Sequence, residues 1–139
     1  MSSVTAVLVN ERAEIQRLGE IAERFGADNG LSDDEVMSVN LVLDELVTNI
    51  MDYGYDDGGR HEIRVTMTAE QGTLTIEVED DARAFDPLAA PPPDLDLPLE
   101  ERPIGGLGIH IVRSVMNSVE YQRREGHNIL TMRKTIGRT

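Results

Sequence analysis

The sequence predicts an α/β chain of the two-layer, α+β kind, and three observations carry that expectation. Apolar residues recur at helical spacing in two early stretches and one late stretch, while the segments around them alternate apolar and polar with a period of two. The resulting order is strand, two helices, hairpin, long loop, helix, hairpin. With 139 residues the chain can bury one core but hardly two, and it shows no internal repeat or interdomain linker, so residues 1–139 are expected to form a single domain.

The first strand lies where Val7 and Val9 alternate with Ala6 and Leu8. From Glu11 onward Ile15, Leu18, Ala22 and Phe25 recur at helical spacing, and Gly26 is expected to end that helix. Ser32 followed by Asp33, Asp34 and Glu35 makes a capped, acidic start suited to a helix dipole. Val36, Val39, Leu43, Leu46, Val47 and Ile50 then form an apolar stripe, with Glu45 and Asn49 flanking it. Ile63 to Met67 alternates with polar residues, Gln71-Gly72 turns the chain, and Leu74, Ile76 and Val78 alternate again, which predicts a hairpin. Continuing that phase puts Asp80 on the core side at the strand's end, where a charge needs a hydrogen-bonding partner such as a ligand amino group. The other reading ends the strand at Glu79 and lets Asp80 start a turn.

All six prolines fall between Pro87 and Pro103, including Pro91-Pro92-Pro93. A loop of that length inside a compact domain is uncommon, and its position before Gly105-Gly106-Leu107-Gly108 fits a lid over about 86–104 as well as it fits a plain surface insertion. The glycines open a helix continued by Ile111, Val112, Val115 and Met116. A last hairpin follows: Val119 and Tyr121 alternate, Glu125-Gly126-His127-Asn128 turns, and Leu130, Met132 and Ile136 share one face. Thr131 lies on the other face by this phase, either solvated or facing a ligand.

Charge and composition exclude several classes. The 13 Lys+Arg against 26 Asp+Glu leave a net charge of −13, which repels nucleic acid and anionic lipid, so neither is an expected partner and basic or neutral proteins are. The absence of cysteine rules out disulfides, thiolate metal sites and cysteine nucleophiles. No segment approaches the roughly 20 apolar residues that span a bilayer, and the N-terminus lacks a basic leader, so a cytoplasmic location is expected. His61, His110 and His127 show neither metal-ligand spacing nor Asp-Ser partners for a hydrolytic triad. Six methionines beside two phenylalanines suggest an adaptable core.

Two features point to a nucleotide. Glu45 and Asn49, one turn apart, put a carboxylate and an amide on one helix face, where a metal ion or an attacking hydroxyl can be held. The glycines before the late helix permit close backbone approach and offer unpaired N–H groups to a phosphate. Neither the dinucleotide fingerprint nor a Gly-Lys-Ser/Thr loop explains them.

Taken in order, Glu45-Leu46-Val47-Thr48-Asn49, Asp80-Asp81-Ala82-Arg83-Ala84-Phe85-Asp86-Pro87 and Gly105-Gly106-Leu107-Gly108-Ile109 resemble the anti-sigma-factor serine/threonine kinases of bacterial partner-switching systems, within the GHKL superfamily of Bergerat-fold ATPases. The resemblance spans nearly the whole chain. It implies a mixed, mostly antiparallel sheet covered on one face by about three helices, with ATP and Mg2+ as ligands. It further implies a small antagonist protein as Ser/Thr phosphoacceptor, a sigma factor or equivalent regulator as the sequestered partner, and a homodimer. By resemblance, Asn49 holds Mg2+, Glu45 is the general base and Asp80 accepts from the adenine amino group. The remaining nucleotide contacts would come from Ala82, Phe85, Gly105, Gly106, Leu107, Gly108 and Ile109, and Thr131 matches a strand threonine that supports the adenine contact.

Two positions depart from the family pattern. Ala82 stands where relatives usually have glycine, which removes room and any positive φ. Asp52, three residues after Asn49, would repel phosphates unless it faces away or binds metal; Arg83 and Arg102 at the ends of the lid read either as compensating cations or as solvated charges. These departures support an alternative function, a nucleotide-responsive protein-binding module that transfers nothing. A sensor histidine kinase is not expected, because the chain leaves no length for a phosphoacceptor helix.

Overall fold

The computed structural model of the chain describes residues 2–84 and 106–136. Its elements are β1 (Ser2–Val9), α1 (Ala13–Asp28), α2 (Asp33–Tyr53), β2 (Glu62–Glu70), β3 (Thr73–Asp80), α3 (Gly106–Val115), β4 (Ser118–Arg124) and β5 (His127–Thr135). The strands form one five-stranded sheet in the order β1-β2-β3-β5-β4. Every pairing is antiparallel, so the mixed sheet expected from resemblance is corrected to a purely antiparallel one among the described residues.

Period-two alternation decides which face is buried. Ala6 and Leu8, then Ile63, Val65 and Met67, then Leu74, Ile76 and Val78, then Leu130 and Met132 point into one core. The helices close it with Leu18, Ala22 and Phe25 of α1, Val39, Val42, Leu43, Leu46 and Val47 of α2, and Val112 of α3. The opposite face is polar: Thr5, Thr66, Glu77, Thr131 and Glu120 form one cross-strand row on it. The β2–β3 turn falls at Gln71 and Gly72, with φ of 51° and 77°, the left-handed pair that a two-residue hairpin requires.

Gly26 does not end α1, which continues to Asp28 with Gly26 buried inside it. A Cβ on Gly26 would lie 2.5 Å from Val36 Cγ2 of α2, so the glycine lets the two helices approach closely. Termination falls to Asn29, whose N–H donates to the carbonyls of Phe25 and Gly26, and to Gly30 at φ +74°.

Candidate functional site

The site is built on α2. Ser32 Oγ accepts from Glu35 N–H at 3.1 Å while Glu35 Oε1 accepts from Ser32 N–H at 2.9 Å, the reciprocal cap expected at this acidic start. With that end fixed and Leu43, Leu46 and Val47 anchored in the core, Glu45 and Asn49 fall on the flank of the helix, both half-buried. Asp52 does not threaten them: Arg12 Nη2 donates to its Oδ1 at 2.6 Å, so its charge is answered by a cation from the start of α1.

At its other end α2 meets the segment after β3. Gly54 caps the helix, its carbonyl accepts from Arg83 N–H at 3.2 Å, and a Cβ on it would come within 2.7 Å of Ala82 Cβ. Ala82 is itself buried. Among the described non-glycine residues positive φ is confined to Gln71 and Glu125, so Ala82 needs no glycine-only backbone, and the missing Cβ at Gly54 provides the room for its methyl.

Asp80 is the last residue of β3 and 5% exposed, which selects the inward reading over the turn. Burial raises its carboxyl above the usual range, opposed by hydrogen bonds from Asn128 and Ala82. Both bonds fall on Oδ1: Ala82 N–H donates at 3.0 Å and Asn128 Nδ2 at 3.0 Å. Oδ2 accepts no hydrogen bond among the described residues, so it can receive an exocyclic amino group.

Asn128 is the principal residue that sequence reasoning misplaced, in a turn. The turn is Glu125-Gly126, and Asn128 is already in β5, directly across from Asp80. Its amide is held from all sides. Tyr121 Oη donates to its Oδ1 at 2.6 Å and Arg123 Nη1 at 3.1 Å, while its Nδ2 donates to Asp80 and to the carbonyl of Arg83 at 2.9 Å. Arg123 also donates to the Ala82 carbonyl at 2.9 Å. Period-two counting back from Met132 and Leu130 reaches Asn128, so a signal was present. Thr131 pairs with Glu77 and Glu120 on the polar face, as its phase implies, opposite to the face of Asp80 and Asn128.

A second cluster lies beside this pocket. His61 stacks on Tyr55 with ring centroids 4.0 Å apart and planes 9° from parallel. His61 Nε2 is 2.9 Å from Asp57 Oδ2 and its Nδ1 3.3 Å from Asp81 Oδ2, and Tyr55 Oη donates to Asp81 Oδ1 at 3.0 Å. Asp57 first, and then Asp81 against the opposing effect of burial, raise the His61 pKa. Burial and then the Asp81 bond raise that of Tyr55.

Gly106 opens α3 as expected, with Leu107, Gly108 and Ile109 in its first turns, and α3 packs against α2. Phe85, Gly105, Arg102 and the lid expected over about 86–104 lie outside the described residues. Among the described residues no group of three His, Asp or Glu side chains forms a metal cage.

A two-layer domain with an acid–amide helix, an inward aspartate at a strand end and a glycine-started helix over one sheet face defines a class, the ATPase-type α/β domain. The chain belongs to the histidine kinase-like ATPase domain family, whose model matches residues 8–134. It is similar to the serine/threonine-protein kinase BtrW of Bordetella bronchiseptica, with 30% identity over 95 residues covering 68% of this chain and 67% of that protein. It is also similar to the serine-protein kinase RsbW of Bacillus thuringiensis, with 29% identity over 114 residues covering 78% and 69%. Among solved structures, the RsbU and RsbW domains of a Mycobacterium tuberculosis protein match the whole fold with a TM-score of 0.71 at 12% identity; this chain spans 34% of that one.

Proposed function

We infer that this chain is an ATP-dependent protein serine/threonine kinase of a partner-switching system. It phosphorylates a serine or threonine on a small antagonist protein, and it sequesters a sigma factor or equivalent regulator when not so engaged. The observation that carries the reading is Asp80, a buried strand-end carboxylate fully braced on one oxygen and open on the other, in a chain whose relatives are named serine kinases.

The residues divide the work by chemistry. Asp80 Oδ2 accepts from the adenine amino group, and Ala82, braced by Arg123 and Asn128, forms the wall beside the base. Gly106 and Gly108, where α3 begins, offer the phosphates backbone donors. Asn49 would supply an amide oxygen to Mg2+, an ion that keeps several waters and takes few protein ligands beside substrate phosphates, so no protein cage is required. The ion held there would supply charge neutralisation to the transferring phosphoryl group. Glu45, one turn from Asn49, accepts the proton of the incoming hydroxyl. The family resemblance adds a homodimer as the working form.

The test is transfer of label from ATP to a small antagonist protein that co-purifies with the chain, under single-turnover conditions with saturating partner. Glu45→Gln is expected to bind Mg-ATP nearly as well as wild type and to transfer about 10² to 10⁴ times more slowly. Tight Mg-ATP binding by wild type without transfer to any partner would replace the kinase by a nucleotide-gated binding module.

A further inference from the structure

We propose that the groove between α1 and α2 is a docking site for a basic amphipathic helix of a partner protein. The two helices meet the sheet through Leu18 and Leu43, and on the outer side of that seam they leave an open groove of about 600 Å³. Leu18 and Leu43 in its lining belong to the core, whereas Met37 and Leu41 do not. On α2, Met37 is 69% exposed and Leu41 45% exposed on successive turns, and they face the partly buried Ile15 of α1. Large apolar side chains exposed side by side mark a contact surface more than scattered solvated positions do.

Two further observations say what kind of occupant fits. A Cβ on Gly19 would meet nothing within 4 Å, and no positive φ calls for glycine there, so its effect is to leave the α1 wall open to a bulky side chain or another backbone. Asn40 Oδ1, in the groove lining, is buried and accepts no hydrogen bond among the described residues; an incoming donor relieves that deficit.

The rim sets the sign. Glu20, Glu23 and Asp44 line it, with no Lys or Arg among the described lining residues, in a chain of net charge −13. A second copy of the chain would bring acid against acid, which disfavours self-association through this surface. A helix with apolar anchors at i, i+3, i+4 and i+7, flanked by Lys or Arg, satisfies the floor, the rim and Asn40 together. Leu41 precedes Glu45 by one turn, so the docked helix would lie next to the phosphate end of the pocket, although the docking itself does not depend on the kinase reading.

A phage library of helical peptides, apolar at i, i+3, i+4 and i+7 and random elsewhere, selected on the intact nucleotide-free chain, tests the assignment. Enriched peptides are expected to carry an excess of Lys and Arg and to bind more weakly as salt rises. Fluorescence anisotropy is expected to show about tenfold or greater loss of affinity for Leu41→Lys and for Gly19→Arg, with Asp80→Asn unchanged. Exposure of Leu41 and the open space at Gly19 favour retention of the fold in both variants, and circular dichroism checks it. Failure of any peptide to enrich, enrichment without basic bias, or equal binding to both variants and wild type overturns the proposal. So does a change in oligomeric state of either variant by sedimentation, which would give the groove to a second copy. Phosphotransfer lost with peptide binding kept would count against the kinase reading alone.

Discussion

At Asp80 the two oxygens of one carboxylate differ: Oδ1 carries both hydrogen bonds found among the described residues, and Oδ2 carries none. Because Oδ1 accepts both the Ala82 N–H and the Asn128 amide, Asp80→Asn can keep its carbonyl oxygen there and present its amide to the ligand. The fold is expected to survive while adenine nucleotides lose about 10- to 100-fold in affinity, the weight of one charged hydrogen bond of roughly 1.5–3 kcal/mol. Calorimetry with ATP and GTP checks it, since equal losses for both would make Asp80 a structural residue. Asn49→Ala is expected to abolish the Mg2+-dependent part of ATP binding and leave the metal-free part, and an unchanged Mg-ATP affinity would remove Asn49 from the site. The inward direction of Asp80 was legible from strand phase. Its partner was not, because Asn128 follows Gly126 and His127, where turn chemistry outweighs phase in a sequence reading. Thr131 keeps the face that its phase gives it, since three residues of strand separate it from the Asp80 row and turn it to the other side.

The α1–α2 pair shows what an element-level reading catches and what it loses. The capping box at Ser32 and the stripe from Val39 to Val47 were both written in residue order, and both stand in α2. The end of α1 was not, because a glycine near a helix end reads as a terminator whether it terminates or packs. With Val36 Cγ2 only 2.5 Å from the place a Cβ would take, Gly26→Ala must push the helices apart or shift a β-branched side chain. It is expected to destabilise by about 1–3 kcal/mol, the range of overpacking in a closed core, despite alanine's better helix propensity. Urea unfolding measures this; a stabilised Gly26→Ala would show that propensity outweighs the contact.

For the molecule as a whole, alternation and helical periodicity sufficed for the layers and for the single core. Strand order did not follow from them, since β5 enters between β3 and β4 through pairing that no local pattern encodes. The loop from Gly54 to His61 illustrates the same gap: its histidine reads as an ordinary polar residue until the fold brings Asp81 from the end of the sheet to meet it. His61 carries a raised pKa, so its stabilising contribution is present below its ordinary 6.5 and is lost as pH rises through the higher folded value. The difference in thermal stability between wild type and His61→Gln is therefore expected to be largest near about pH 5.5 and to shrink by about pH 8.5. Equal differences at the two values would show that the stack on Tyr55, not the charge, holds the loop.

The place of β1 in the sheet has a kinetic meaning. Its ladder joins Ser2 to Ala69 and Val9 to Glu62, whereas β2 and β3 close a local hairpin. On a growing chain α1 and α2 are complete before the β2 residues that β1 pairs with have been made. β1 must therefore wait, its alternating Ala6 and Leu8 uncovered by β2, until Ile63 to Met67 arrive to fix its register.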